Sequence, residues 1–276
     1  MEGTLDQEFV RNLALPPRPE IVAVLFEEMS RDEPNLTRVA RKISADVALA
    51  AAMLKTVNSP AFGLARKLSS VPQAIDFLGM RQVAGIATGL AIRHSLSGGA
   101  AASHARFWDT AEKTALMCAT FARRLRGIPA DEAYTFGLFH DCGIPVLMRR
   151  FPRYEAALAR ANADSAQGFY EIEQAEVGTH HGVVGYYLTR SWQLPDSFCR
   201  AVLWHHDIEV FHDASLDGRV RDFVGIIHLA EHILDQAVRD GGAEWDRFRG
   251  PVLAHFGLSD EDVGSLADAA HEALAG

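Results

Sequence analysis

The spacing of the apolar residues, which is helical almost throughout, constrains the fold of this 276-residue chain most strongly. Two consecutive stretches show apolar side chains at i, i+3, i+4 and i+7: Leu36, Val39, Ala40 and Ile43, then Val47, Ala50, Ala51 and Leu54. Similar spacing predicts further helices over residues 104–125, 131–141, 153–162, 170–190, 196–205, 220–238 and 260–274. No alternating run with hairpin signals occurs in the sequence, so we predict an all-α fold.

Several helix ends carry local signals. Asn35 or Thr37 can cap the first of these helices and Asp46 the second, because short polar side chains accept hydrogen bonds from the free N–H groups of a first turn. Pro60 stops the second helix. Three polar or glycine-rich segments are predicted to be loops: residues 95–103, 212–220 and 239–251. The first of them separates an N-terminal lobe from a lobe that carries most of the histidines.

Composition narrows the class of protein. Hydrophobic residues make up 48% and charged residues 23% of the chain, which is ordinary for a globular protein. The acidic N-terminus has no signal-peptide pattern, and the longest apolar run, residues 83–92, is too short to span a bilayer. We therefore expect a cytoplasmic protein without a membrane partner. The cysteines Cys118, Cys142 and Cys199 form no CxxC motif and are expected to be buried free thiols.

Nucleic acid is a poor candidate partner. The net charge is −9, and neither half of the chain has the strongly basic face that phosphate-backbone binding needs. The helix pair at Leu36–Leu54 has the connection of a helix-turn-helix, but Lys55 is the only basic residue of its second helix. A recognition helix needs polar and basic side chains to reach base edges, so we interpret this pair as core.

The histidines are unevenly distributed, and two adjacent pairs occur. His140, His180, His181, His205 and His206 lie close together in the sequence with Asp141 and Asp207, and imidazole with carboxylate is a ligand set that suits Zn, Fe or Mn. A single histidine is more often a capped or partly buried polar residue than a ligand. Neighbours within a helix point about 100° apart, so a pair converges on one ion only near a helix end. Gly143 and Pro145 predict such an end directly after His140–Asp141.

Six segments, in order, resemble one known family. They are "LPPRP", "DVALAAAMLKTVNSPAF" and "SVPQAIDFLG" in the first lobe, then "GLFHDCG", "THHGVVGYYLTRSWQLP" and "AVLWHHD" in the second. This pattern is similar to that of the HDOD family, the HD-related output domains of bacterial signalling proteins. The resemblance implies a two-lobed helical bundle over residues 13–210, with an N-terminal helical lobe at about 13–97 and an HD-like lobe at about 104–210. Residues 211–276 are then a helical extension, which either closes the bundle or forms a dimer contact, so a homo-oligomer stays open.

The wider HD superfamily consists of metal-dependent phosphohydrolases, and its ligand pattern can be carried over to this chain. By that resemblance His140 and Asp141 match the HD pair, and His181 matches the histidine that follows it. His205 and His206 match the late histidine pair. These five residues are the candidate ligands of a divalent metal (Fe, Mn or Zn). His180 stands where the family has an aspartate, and Glu231 aligns more weakly with the late aspartate of the superfamily.

Two positions depart from the hydrolase pattern. Thr110 stands where the first histidine of the superfamily is expected, and Ile144 replaces the lysine that often follows the HD pair. A phosphohydrolase needs an open metal position and a cation to stabilise the phosphoryl charge. With no catalytic residues assigned, we expect a non-enzymatic regulatory module that binds other signalling proteins. The alternative is a metal-dependent phosphohydrolase acting on a nucleotide or cyclic dinucleotide.

Overall fold

A computed structural model of the chain describes residues 15–96, 102–163, 169–238 and 243–275. The described residues are all-α, as predicted, and contain no strand. A short 3₁₀ turn, Pro60–Phe62, interrupts the first lobe. The helices of this lobe are α1 (Glu20–Met29), α2 (Leu36–Ala45), α3 (Val47–Val57), α4 (Val71–Leu78) and α5 (Met80–Leu96).

The second lobe and the C-terminal segment continue with ten helices in the described ranges. Those of the second lobe are α6 (Ala102–Ala122), α7 (Ala130–Phe139), α8 (Gly143–Arg150), α9 (Tyr154–Ala163), α10 (Phe169–Val177), α11 (His181–Ser191) and α12 (Asp196–Trp204). A 3₁₀ turn at Ile208–Phe211 leads into the C-terminal segment, which contains α13 (Gly218–Val238), α14 (Ala243–Phe256) and α15 (Asp260–Ala275).

The N-terminal helices form for the reasons that the sequence indicates. The Asn35 side chain accepts a hydrogen bond from the Arg38 N–H at 2.8 Å, so Asn35 rather than Thr37 caps α2. Asp46 caps α3 through the Leu49 N–H at 3.0 Å. Helix α2 buries Val39, Ala40 and Ile43, as the periodicity predicts. The face predicted for α3 is wrong, because α3 buries Leu49, Met53 and Val57 and leaves Val47 and Ala51 exposed. Helix capping and burial of one face therefore act together here.

One continuous hydrophobic core runs through both lobes. Helix α5 is the centre of the first lobe, since it packs against α1, α3 and α4, and it also contacts α7 of the second lobe. Helices α6 and α7 pack closely against each other, and α13 lies against both. Helix α15 returns to α6 and to the 3₁₀ turn of the first lobe, so the C-terminal segment packs onto the bundle.

The structure corrects two of the predicted segments. The single helix expected over 170–190 is two helices, because Gly178 adopts a left-handed conformation (φ 75°) that ends α10. The prediction of a loop over 239–251 is wrong from residue 243 onward, since α14 begins there and includes Pro251. Trp245, Phe248 and Val252 are buried on both sides of this proline. Tertiary packing therefore outweighs the local signal of the proline to end the helix.

The remaining expectations concern one loop, the cysteines and the membrane. The loop predicted over 95–103 lies mostly outside the described residues, which resume at α6. The three cysteines are buried and free, as expected. Among the described helices, none combines the length and the apolar character that crossing a bilayer requires.

Candidate metal centre

Two helix boundaries bring the HD pair and the following histidine together. Helix α7 ends at Phe139, and His140 and Asp141 lie in the tight turn that leads into α8. Gly143, the first residue of α8, packs against the start of α11 so closely that a Cβ atom would lie 2.1 Å from the His181 carbonyl oxygen. The left-handed Gly178 ends α10 and lets His181 begin α11. Two glycines thus permit the approach of His181 to Asp141.

The histidines of the cluster share one feature, which is that Nδ1 of each ring is held by an oxygen atom. The pairs are His140 with Gly137 O (3.0 Å), His181 with Glu173 Oε2 (2.7 Å), His205 with Val202 O (2.8 Å), and His206 with Glu244 Oε1. Such partners fix the ring orientation and leave Nε2 available, which is the usual arrangement around histidine ligands of a metal.

The available nitrogen atoms converge on Asp141. Its Oδ1 lies 3.2 Å from Nε2 of His181 and 3.3 Å from Nε2 of His205, and those two nitrogens are 3.1 Å apart. One donor atom each from Asp141, His181, His205 and His206 lies within 4.8 Å of the others. All five residues predicted from the sequence therefore lie in one cluster, with His140 Nε2 on the other carboxylate oxygen of Asp141 at 3.3 Å. We refer to Asp141, His181, His205 and His206 as the histidine group.

Residues of the C-terminal segment enter the cluster as well. Glu231 of α13 lies 3.1 Å from His140 Nε2, so His140, Asp141 and Glu231 form a second group that shares Asp141. His228, Glu231 and Glu244 form a third group. Aromatic rings pack against the histidines, with Phe169 stacked on His206 at 4.9 Å between ring centroids. The centre is therefore built from both the HD-like lobe and the helices that follow it.

Burial and charge act in opposite directions on the histidine pKa values. Burial opposes protonation of His140 and His181, but the neighbouring carboxylates outweigh it and raise the pKa of each to about 10. Burial and the charge of its histidine neighbour lower the pKa of His205, and burial with His181 lowers that of His206 to about 3. The carboxylates thus favour positive charge at the centre, while His205 and His206 are held in the neutral form that binds metals.

The residues present fit a divalent metal. Asp141 Oδ1 is buried and has no hydrogen-bond partner within the described chain, although the rings of His181 and His205 lie beside it. A buried carboxylate oxygen without a donor is costly unless a cation neutralises it. His181 and His205 are fully buried, whereas the Asp141 side chain is 25% exposed, so an ion would reach the histidine group from the side of Asp141. An ion bound there would cross-link the turn after α7 to α11 and α12.

The departures from the hydrolase pattern occupy different environments. Ile144 is buried in the core of α8 at 4% exposure. Thr110 is exposed on α6, and its correspondence to the first histidine of the superfamily stays a prediction. His180 stacks on Tyr170 at 3.8 Å between ring centroids, outside the three groups, and burial lowers its pKa to about 3.

Three residues of the centre were not identified from the sequence: Glu173, His228 and Glu244. Glu173 is fully buried and accepts hydrogen bonds from both the backbone and the ring of His181. For His228 a signal exists, since His228 and Glu231 are three residues apart and share one face of a helix. Glu173 is one of three glutamates on α10, and Glu244 is one of two acidic residues at the start of α14, so nothing in their spacing distinguishes them.

Comparison with curated proteins gives two distant relatives. An uncharacterized protein of Treponema pallidum (strain Nichols) is 22% identical over 196 residues, which are 70% of this chain and 38% of that protein. The uncharacterized protein YuxH of Bacillus subtilis (strain 168) is 37% identical over 59 residues, 21% of this chain and 14% of that protein. The chain therefore matches less than half the length of these relatives.

Solved structures share the fold at low sequence identity. A Shewanella amazonensis SB2B protein, provisionally described as a phosphohydrolase, has a TM-score of 0.71 at 20% identity, with 96% of this chain and 92% of that chain covered. An HDOD domain protein of unknown function from Geobacter sulfurreducens has a TM-score of 0.68 at 22% identity, with 97% and 99% covered. A Marinobacter aquaeolei VT8 protein, provisionally described as a signal transduction protein, has a TM-score of 0.67 at 21% identity, with 98% and 61% covered.

The family assignment rests on a match to a family model. Residues 15–208 match the model of the HDOD domain, which includes the first lobe, the HD pair and the histidines of α11 and α12. This segment agrees with the resemblance that the motifs indicate. Because the match covers most of the chain, the protein belongs to the HDOD domain family.

Proposed function

We propose that the protein is a regulatory module of bacterial signal transduction that binds another signalling protein and does not hydrolyse phosphoesters. The observation that carries the proposal is the histidine group, in which four protein donor atoms lie within 4.8 Å of one another. Four protein ligands close the coordination sphere of a structural zinc, whereas catalytic zinc sites keep a position open for water. The metal, whether Zn, Fe or Mn, would then stabilise the second lobe.

The charges around the cluster support the same proposal. The ion pairs that Asp141, Glu173, Glu231 and Glu244 make within the described chain are all with histidines. Ile144 places an apolar side chain in the core where the superfamily often has a lysine. Phosphoryl transfer needs a cation or donor to stabilise the developing charge, and this chain provides no lysine there.

The surface of the first lobe supports a role in protein binding. The large apolar side chains found exposed in the described residues are Met29, Leu36, Val47 and Phe77, and all of them belong to this lobe. Val47 is 79% and Phe77 51% exposed, on helices α3 and α4, which pack against each other. Val47 and Phe77 therefore offer apolar side chains that a partner protein could cover.

One observation favours the alternative, a metal-dependent phosphohydrolase acting on a nucleotide or cyclic dinucleotide. Asp141 belongs both to the histidine group and to the group with His140 and Glu231, so its carboxylate would bridge two ions. Paired metals can stabilise the attacking and the leaving oxygen of a phosphoester displacement. The Shewanella relative, provisionally described as a phosphohydrolase, agrees with this alternative.

An assay with defined metals distinguishes the two functions. The purified protein would be analysed for bound metals, stripped, reloaded with Zn²⁺, Mn²⁺ or Fe²⁺, and incubated with cyclic dinucleotides and nucleotide phosphates. We expect metal to be retained and product to form no faster than with Asp141→Asn, the matched variant that loses the bridging carboxylate. Turnover that depends on metal and disappears in both Asp141→Asn and His140→Ala would replace the regulatory proposal with the hydrolase.

A further inference from the structure

Three residues that follow the matched family segment converge beside the histidine group. They are His228 and Glu231 of α13 and Glu244 of α14, here called the C-terminal group. One donor atom from each residue lies within 4.8 Å of the other two. Atoms bound to one metal at 2.0–2.2 Å can be up to about 4.4 Å apart, so a small closing movement would bring all three donors onto one ion.

The ring of His228 presents a lone pair to this group. His228 is 3% exposed, and its Nε2 lies 2.6 Å from the carbonyl oxygen of His205. A carbonyl oxygen only accepts, so Nε2 carries the proton and Nδ1 of the neutral ring is an acceptor. Nδ1 faces Glu231 Oε2 at 3.8 Å, which is too long for a hydrogen bond. A cation between Nδ1 and the carboxylate would satisfy both acceptors.

Neighbouring residues hold the C-terminal group in place. The ring of Phe248 stacks on His228 at 3.7 Å between centroids, which fixes the direction of Nδ1. Glu244 contacts His206 Nδ1, and Glu231 contacts His140 Nε2, so both carboxylates are anchored from the side of the histidines. The side chains of Glu231 and Glu244 are 30% and 31% exposed, which leaves the group open to ions from solvent.

We propose that the C-terminal group binds a divalent cation of its own, separate from any metal in the histidine group. One imidazole with two carboxylates is a ligand set that suits Mn²⁺ or Fe²⁺. The ion would fasten α14 to α13 at the edge of the histidine group and would make the C-terminal segment part of the metal centre. This proposal goes beyond the regulatory function and does not depend on it. The regulatory function rests on the histidine group, and the C-terminal group shares no residue with that group.

Binding of Mn²⁺ to an Asp141→Asn background isolates the proposed site. This substitution removes the carboxylate of the histidine group and of the group with His140, while the C-terminal group keeps all three residues. Free Mn²⁺ would be measured by electron paramagnetic resonance during titration of the stripped, full-length protein. We expect Asp141→Asn to bind one equivalent, and Asp141→Asn with His228→Gln, or with Glu244→Gln, to lose at least tenfold in affinity.

The control is Asp141→Asn with Glu272→Gln, which removes an exposed carboxylate of α15 and should bind as Asp141→Asn does. If Asp141→Asn fails to fold, wild type is compared with His228→Gln and with Glu244→Gln, and each variant should bind one Mn²⁺ fewer. Equal Mn²⁺ binding with and without the second substitution would overturn the proposal, as would an Asp141→Asn protein that folds and binds no Mn²⁺. Neither result bears on the hydrolysis assay, which tests the regulatory function.

Discussion

Glu28 is a carboxylate buried within the first lobe, and its environment predicts how stability depends on acid. It accepts a hydrogen bond from the Asn35 N–H at 2.8 Å and lies 2.5 Å from the Arg38 guanidinium. The Asn35 hydrogen bond lowers the pKa of Glu28 below its usual 4.5, burial opposes this shift, and Arg38 and Arg31 reinforce it. A lowered pKa stabilises the fold above about pH 4.5, and this contribution is lost as the pH falls through the folded-state pKa.

The Glu28→Gln variant tests this effect. We expect it to be less stable than wild type at neutral pH, and the difference in unfolding free energy should shrink as the pH falls below about 4.5. Urea denaturation between pH 7 and pH 3 measures the difference. Glu33→Gln, which removes an exposed carboxylate of the neighbouring turn, is the control for loss of one charge. A difference that stays constant over the whole range would contradict the prediction.

Individual residues of the centre differ in how far the sequence could predict them. The five candidate ligands could be predicted because histidine pairs next to aspartate are uncommon and the family pattern orders them. Glu173 could not, because its role depends on full burial against His181, and a glutamate on an amphipathic helix is normally exposed. Glu244 could not, because it lies in a segment whose glycines and proline predict a loop.

At the scale of helices, local signals predict α2 to α4 well and the surroundings of the centre less well. Capping and periodicity agree at Asn35 and Asp46, so the helix boundaries follow from the sequence. Around the histidines, the periodicity continues through Gly178 and hides the break that makes His181 the first residue of α11. That break depends on a backbone conformation that apolar spacing does not report.

The packing of α8 against α11 can be tested at Gly143. A Cβ atom there would lie 2.1 Å from the His181 carbonyl oxygen and 2.9 Å from the Gly185 nitrogen, which are backbone atoms and cannot rotate away. We expect Gly143→Ala to lower the free energy of unfolding by about 1–3 kcal/mol, as overpacking does. It should also weaken metal binding, since His181 is displaced. Urea denaturation and metal titration measure the two effects.

Gly264 of α15 provides the matched control, because a Cβ atom there has no neighbour within 4 Å. Gly264→Ala should stabilise the protein by about 0.5–1 kcal/mol, since alanine favours helix. Similar effects of the two substitutions would show that the close approach of α8 to α11 is not a constraint on the fold.

At the scale of the whole molecule, the two lobes are expected to have different tasks, with partner binding on the first and a metal centre in the second.

Phe77→Glu places a charge on the exposed apolar surface of the first lobe and should leave the melting temperature unchanged, because the side chain is half exposed. Cross-linking in the source cells followed by mass spectrometry should recover partners with wild type and lose them with Phe77→Glu. Ala156→Glu, at an exposed site of the second lobe, is the charge-matched control. Equal recovery with both variants would refute a docking role for this surface.

Removal of metal should affect the stability of the molecule more than any activity. An ion held by Asp141, His181 and His205 connects α11, α12 and the turn after α7, and it binds only the folded state. At a hundredfold excess over its dissociation constant such an ion stabilises the fold by about 2.7 kcal/mol. Chelation should then lower the melting temperature by about 5–10 °C.

Calorimetry before and after chelation measures this shift, with His140→Ala and Asp141→Asn as variants whose centre is impaired. We expect chelation to shift the melting temperature less for Asp141→Asn, which loses the carboxylate that His140, His181 and His205 face and therefore binds less metal, than for His140→Ala, which keeps the histidine group. A protein shown to contain metal that melts at the same temperature after chelation would rule out a structural role. The ion would then have to act in binding or catalysis at the carboxylate-lined side of the centre.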